Sequence, residues 1–113
     1  MPRAALIAAL RDRLGRAEAL EQNAQHHAAF ALLEEAHVIS QRLTLWHCRV
    51  HLRMWRNGWA RRDWREVFGQ SIRLPAAALF SQLWVPSGNT GGARVSALKP
   101  MPIPDHLRAL LDI

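Results

Sequence analysis

Apolar residues recur at every third or fourth position through the first two thirds of the chain, which is the period of an α-helix. The pattern predicts helices over residues 2–20, 23–40 and 42–57, and a fourth helix that begins near residue 63. The first apolar stripe consists of Leu6, Leu10, Leu14 and Ala17 and is continued by Glu21, and the second consists of Ala29, Leu32, Leu33, Ala36 and Ile39. The third stripe consists of Leu43, His47, Val50, His51 and Met54, and the fourth of Val67, Phe68, Ser71 and Ile72. No stretch of useful length alternates as a strand does, so the sequence predicts an all-α fold.

Polar residues that are typical of helix ends fall between these stripes. Asn23 is a candidate N-cap for the second helix, and Asn57-Gly58 is a pair suited to a left-handed C-terminal cap on the third. Asp63 followed three residues later by Glu66 has the form of a capping box. Short turns between four helices predict a compact antiparallel bundle with a helical-hairpin, repeat-like arrangement.

Pro75 lies within the fourth stripe, and proline lacks the amide hydrogen that a helix interior uses. We therefore expect a kink or interruption there, with the helix resuming up to Trp84. Glycine and proline become frequent after Val85. We assign residues 1–86 to the bundle and 87–113 to an extended tail of the same domain, packed on the helices and closed by a short helix over 105–112.

Size and composition restrict the class of protein. A chain of 113 residues with 50% hydrophobic content supports one modest core. Cys48 is the single cysteine, so no internal disulfide forms, and no signal peptide or membrane span is apparent. The cytoplasm is therefore the expected location. The formal net charge of +6, almost wholly from arginine, favours an anionic partner without selecting its class.

Three histidines occupy positions that helical periodicity turns toward the interior. His47 and His51 are four residues apart on the third stripe, and His37 flanks the buried face of the second helix. Glu34 precedes His37 by three residues and projects from a neighbouring position one turn away. Neutral imidazole binds Zn, Cu, Ni or Fe, so the sequence predicts a divalent transition-metal site made by His37, His47 and His51. Glu34 is expected as a fourth ligand or as an acceptor that fixes an imidazole tautomer.

A purely structural interpretation competes with this one. Inward histidines are also found bonded to backbone carbonyls or to a nearby glutamate, and a four-residue histidine spacing recurs by chance. The Gly88–Gly92 string is more simply a tight turn than an anion cradle, because it lacks the lysine and the strand-to-helix context of a phosphate loop.

Several strings together give the sequence a resemblance to a known family. They are Leu33–Gln41, His47-x-x-x-His51, Arg62–Gln70, Gly88–Gly92 and Pro100–Pro104. From about Ala28 onward the chain resembles a bacterial family, domain-of-unknown-function family 3703. The resemblance implies a small cytosolic protein, and the family pattern includes the residues equivalent to Glu34, His37, His47 and His51. Ser40 departs from it, since a glycine is expected there.

The function that these observations favour is metal sensing, buffering or delivery. The first alternative is an adaptor that binds an acidic protein or nucleic acid through a basic, tryptophan-bearing surface. Nucleic acid is the less favoured partner, because no recognition helix is apparent in the sequence. That surface comprises Arg42, Arg49, Arg53, Arg56, Arg61, Arg62 and Arg65 with Trp55, Trp59 and Trp64. The second alternative is a small metal-dependent oxidoreductase; its di-iron form would need a second Glu-x-x-His motif, which is missing. Catalytic residues cannot be assigned, and a homodimer remains open.

Overall fold

The protein is all-α. The computed structural model describes residues 2–80 and 84–112, and these contain five helices and no strand. The helices are α1 (Arg3–Gln22), α2 (His26–Ser40), α3 (Thr44–Arg61), α4 (Trp64–Phe80) and α5 (Asp105–Leu111). Met1, residues 81–83 and Ile113, which the predicted bundle and tail include, lie outside the described residues.

The core forms where α2 packs against α1 on one side and α3 on the other. The apolar residues predicted for the buried face of α2 are all buried, which confirms the helical period there. On α3, His47, Val50, His51 and Met54 are buried as predicted. α4 packs against α3, and α5 rests on α2 with Leu107 buried. As a result, α2 and α3 direct their buried faces at each other.

Two predicted helix ends are wrong. Asn23 does not cap α2: it is the C-terminal cap of α1, and its side-chain amide donates to the carbonyl of Ala19. α3 does not end at Asn57-Gly58 but continues to Arg61, and Arg62 takes the left-handed cap conformation. Gly58 instead lets α4 approach α3 closely. A Cβ at this position would lie 3.1 Å from the Cβ of Glu66.

The start of α4 is as predicted, but its buried face is not. Asp63 Oδ1 accepts a hydrogen bond from the Glu66 backbone N–H at 3.2 Å, which confirms Asp63 as the cap. The reciprocal half of the capping box does not form, because the Asp63 N–H donates to the carbonyl of Gly58 and the Glu66 carboxylate accepts from Gln70 and Ala93. Phe68 and Ile72 are exposed, whereas Glu66 and Gln70 are buried. The buried face of α4 is polar because its side chains bind α3 and the segment after α4. The helix also includes Pro75 without the predicted interruption.

A segment without helix follows from Trp84 to Pro104 and is held to the helices by hydrogen bonds. Gln41, at the end of α2, donates to the carbonyl of Pro86 at 2.9 Å and accepts from the Gly88 N–H at 3.0 Å. The segment does not bury all of its apolar side chains, since Leu98 is 70% exposed. The closing helix predicted over 105–112 is confirmed as α5.

Candidate metal centre

The ring nitrogens of three histidines converge between α2 and α3. His37 Nε2 lies 3.0 Å from His47 Nε2 and 3.2 Å from His51 Nε2, and the latter two are 3.1 Å apart. His37, His47 and His51 are only 3%, 5% and 4% exposed, respectively. His47 and His51 share one face of α3 because four residues make about one helical turn. The short connection between α2 and α3 brings His37 opposite them.

The three Nε2 atoms form a triangle whose size suits a transition-metal ion. For an ion about 2.0–2.1 Å from each nitrogen, the N–metal–N angles would be roughly 95–105°, between the octahedral and tetrahedral values. The three imidazoles would then occupy one side of the ion and leave further positions on the other. Among the described residues, these three form the one group of histidine, cysteine or acidic side chains with ligand atoms close enough to share an ion.

The tautomer of His37 is fixed by the segment after α4. Its Nδ1 lies 2.7 Å from the carbonyl oxygen of Asn89, and a carbonyl can only accept. Nδ1 therefore carries the proton and the Nε2 lone pair faces the other rings. Asn89 is itself fixed, because its side-chain amide donates to the carbonyls of Ser96 and Lys99 at 2.6 and 2.7 Å.

The tautomer of His51 is fixed by α4. Its Nδ1 lies 2.6 Å from Gln70 Oε1. Gln70 Nε2 donates to Glu66 Oε2 and to the carbonyl of Gly91, both at 2.7 Å, which determines the orientation of the amide. His51 therefore donates from Nδ1 and also presents an Nε2 lone pair to the triangle.

These two assignments leave too few protons inside the triangle. His47 Nδ1 is buried with no hydrogen-bond partner among the described residues. If the proton of His47 is on Nε2, it satisfies one neighbouring lone pair, and if it is on Nδ1, it satisfies neither. At least one buried nitrogen acceptor thus faces another acceptor without a donor, an arrangement that a bound cation would satisfy.

The histidines are neutral at pH 7. Burial, followed by the proximity of His51 and His47, holds the pKa of His37 well below its usual value. Burial and the neighbouring His51 lower the pKa of His47 to about 3. Burial lowers the pKa of His51 to about 4, although its hydrogen bond to Gln70 opposes the shift. Neutral imidazole is the form that binds metal ions.

Glu34 is not brought into this cluster. It lines a separate pocket with Glu66 and Thr90, and burial, reinforced by the charge of Glu66, raises its pKa. The acceptor role offered for Glu34, fixing an imidazole tautomer, is filled for His37 by the Asn89 carbonyl and for His51 by Gln70. Cys48 also lies outside the cluster.

Gln70, Asn89 and Gly91 belong to the site although the sequence did not predict a role for them there. Gly91 has φ +83°, and a Cβ at this position would collide with the His37 ring, so glycine is required there. The Arg73 guanidinium donates to the carbonyls of Gly91, Gly92 and Val95 and holds the segment against α4. The available signal was that Gln70 and Gly88–Gly92 fall within the strings that carry the family resemblance.

The five helices and the converging imidazoles define the class of protein: an all-α protein with a buried cluster of three histidines. The sequence profile of the family described as a protein of unknown function, DUF3703, matches residues 4–111. The chain belongs to this family, as the resemblance predicted. No curated protein and no solved structure matches the chain. None of the described helices is both long enough and apolar enough to cross a membrane.

Proposed function

We propose that this protein binds one divalent transition-metal ion through the Nε2 atoms of His37, His47 and His51, and that it serves metal sensing, buffering or delivery. The observation that carries the proposal is the shortage of protons in the triangle. Two Nε2 lone pairs, each fixed by a hydrogen bond on the opposite side of its ring, face each other at 3.2 Å. Such an arrangement is unfavourable in a buried site unless a cation lies between the nitrogens.

The ligand set narrows the choice of metal. Three imidazoles without a thiolate or carboxylate suit Zn, Cu, Ni or Fe(II), and they disfavour Mg and Ca, which prefer oxygen ligands. The cluster holds no carboxylate among the described residues, which weighs against the di-iron alternative. Glu21, a carboxylate on α1, is engaged elsewhere, with Arg53 and Asn57 each at 3.0 Å.

The metal content of protein purified without a histidine tag tests the proposal. We expect close to one metal ion per chain in the wild type, and loss of most of it in a His47→Ala, His51→Ala double variant. The matched control is His26→Ala with His27→Ala, because these two histidines lie on α2 outside the cluster. Equal metal content in the cluster variant and the wild type would refute the proposal.

The adaptor function remains the second candidate, and one observation favours it. Trp59 and Trp64 are about half exposed, and their rings meet edge to face with centroids 4.9 Å apart, beside the exposed Arg62 and Arg65. An acidic partner fits such a surface. Association that weakens with salt and is unaffected by a chelator would favour this function over metal binding. The cytoplasmic location and a homodimer stay predictions.

A further inference from the structure

A pocket of about 300 Å³ adjoins the three histidines. All three rings line it, together with Arg73 and Asn89. The remaining wall is largely apolar and includes Ala77, Phe80, Trp84, Val85, Pro86 and Leu98. A volume of this size is at the lower end of the range found for small-molecule sites. A molecule in this pocket would therefore contact the metal site with one end and apolar side chains with the other.

The charge of the proposed site determines what that molecule should carry. Three neutral imidazoles leave the two positive charges of a divalent ion uncompensated. The nearest acidic group in the hydrogen-bond network, Glu66, is separated from His51 by Gln70 and is opposed by the positive charge of Arg73. An uncompensated ion in a largely apolar pocket is costly, so an anionic fourth ligand is strongly favoured.

We propose that the pocket binds a small organic monoanion, such as a short-chain or aromatic carboxylate, whose anionic head occupies the fourth position of the metal and whose apolar body lies against Phe80 and Leu98. This inference rests on the proposed metal site, since the ion provides the coordination position that the anionic head occupies, whereas the positive charge of Arg73 in the pocket wall is already balanced by Glu66. The inference adds the class of ligand to the proposed function: the fourth coordination position of the ion is taken by an exchangeable organic anion and not by a fourth side chain.

A carboxylate series tests the proposal in protein loaded with Co²⁺, whose visible absorption responds to a change in its fourth ligand. Acetate, butyrate and hexanoate share one head group and differ only in the apolar chain. We expect affinity to rise along the series by up to about fourfold per methylene, as transfer from water to an apolar site requires. Cobalt content, measured by elemental analysis on the same samples, reports the metal site independently.

Two phenylalanines of α4 provide a matched pair of variants. Phe80 lines the pocket and is 56% exposed, whereas Phe68 is 71% exposed and does not line it. We expect Phe80→Ala to weaken hexanoate binding by roughly three- to tenfold while acetate binding is unchanged, because only the longer chain reaches that wall. Phe68→Ala should leave both affinities unchanged.

The outcomes separate the two proposals. Stoichiometric cobalt with an affinity that rises along the series and falls in Phe80→Ala supports the organic-anion site. Stoichiometric cobalt with no spectral response, or with equal affinity for all three carboxylates, overturns the organic-anion site and leaves metal binding intact. Absence of bound cobalt at saturating metal, in protein that retains its helical circular dichroism, overturns both.

Discussion

Gln70 determines which nitrogen of His51 faces the other two rings. Its amide oxygen accepts from His51 Nδ1 at 2.6 Å, and its amide nitrogen is committed to Glu66 and to the Gly91 carbonyl. The buried carboxylate of Glu66 therefore acts on the site through Gln70. Acceptors of this kind orient a ligating imidazole and raise its basicity.

Replacing Gln70 with leucine should weaken metal binding by about 10- to 100-fold, because the His51 ring loses the acceptor that fixes its tautomer. Metal affinity measured by competition with a chelator of known affinity checks this. Ser71→Ala is the control, since Ser71 is exposed and donates to the Val67 carbonyl within its own helix. Unchanged affinity in Gln70→Leu would show that Gln70 does not position the ligand.

The histidine pKa values predict how the stability of the metal-free protein depends on pH. In the unfolded chain these histidines titrate near 6.5, whereas burial lowers the pKa of His47 to about 3 and that of His51 to about 4 in the fold. Between these values the unfolded chain binds protons that the folded chain does not. The free energy of unfolding should therefore fall as pH drops below 6.5, by up to about 1.4 kcal/mol per pH unit for each histidine.

Urea denaturation at pH 7 and pH 5 in the presence of a chelator measures this dependence. The window lies above the range in which most carboxylates titrate, so the histidines dominate the change. A His47→Leu variant should show a shallower dependence, because one shifted group is removed. Equal stability of the wild type at the two pH values would contradict the burial of neutral rings.

At the residue scale, the sequence predicted the three imidazoles but not the groups that orient them. His47 and His51 could be found because a polar residue in an apolar stripe stands out, and His37 because it flanks such a stripe. Gln70 and Asn89 could not be found in this way, since their burial depends on partners distant in the sequence. Periodicity records which face of a helix is apolar, and it contains no information about long-range hydrogen bonds.

The segment between α4 and α5 contributes to the site as an element, since it supplies the Asn89 carbonyl and lies against the His37 ring at Gly91. Gly91→Ala should destabilise the fold by about 1–3 kcal/mol, because φ +83° strains any residue with a Cβ, and should weaken metal binding by displacing His37. Thermal unfolding and metal titration of the same variant measure both effects.

Gly15→Ala is the matched control, because a Cβ at Gly15 meets nothing within 4 Å and the residue lies within α1. This change should stabilise the protein by about 0.5–1 kcal/mol and leave metal affinity unchanged. If Gly91→Ala resembled Gly15→Ala in both measurements, the segment would have no role in holding His37.

The prediction of α4 shows why helix existence is easier to predict than helix orientation. Asp63 marked its start correctly, because an N-cap is a local interaction. The apolar stripe with Phe68 and Ile72 indicated the wrong face, because Glu66 and Gln70 are buried through partners on α3 and on the segment after α4. Long-range hydrogen bonds outweighed apolar burial at this helix.

At the scale of the whole molecule, the net charge of +6 overstates the free basic surface. Arg53 pairs with Glu21 at 3.0 Å and Arg61 with Asp63 at 3.2 Å, so part of the arginine face stabilises the fold. The sequence predicted that face but not which acidic groups pair with it, because both partners, Glu21 and Asp63, lie outside the helix that carries these arginines.

A metal ion at the proposed site would link several elements of the fold. Its ligands lie on α2 and α3, and the hydrogen-bond partners of those ligands lie on α4 and on the segment that follows it. A ligand that binds only the folded state raises its stability by about 2.7 kcal/mol at a free concentration one hundred times its dissociation constant. For a domain of this size that is a rise in melting temperature of roughly 10 °C, at about 4 °C per kcal/mol. Scanning calorimetry with and without Zn²⁺ should show this rise in the wild type and in the His26→Ala, His27→Ala control, and none in His47→Ala, His51→Ala. An equal rise in the cluster variant would mean that zinc binds elsewhere, and the joining of α2 and α3 by a shared ion would then be refuted.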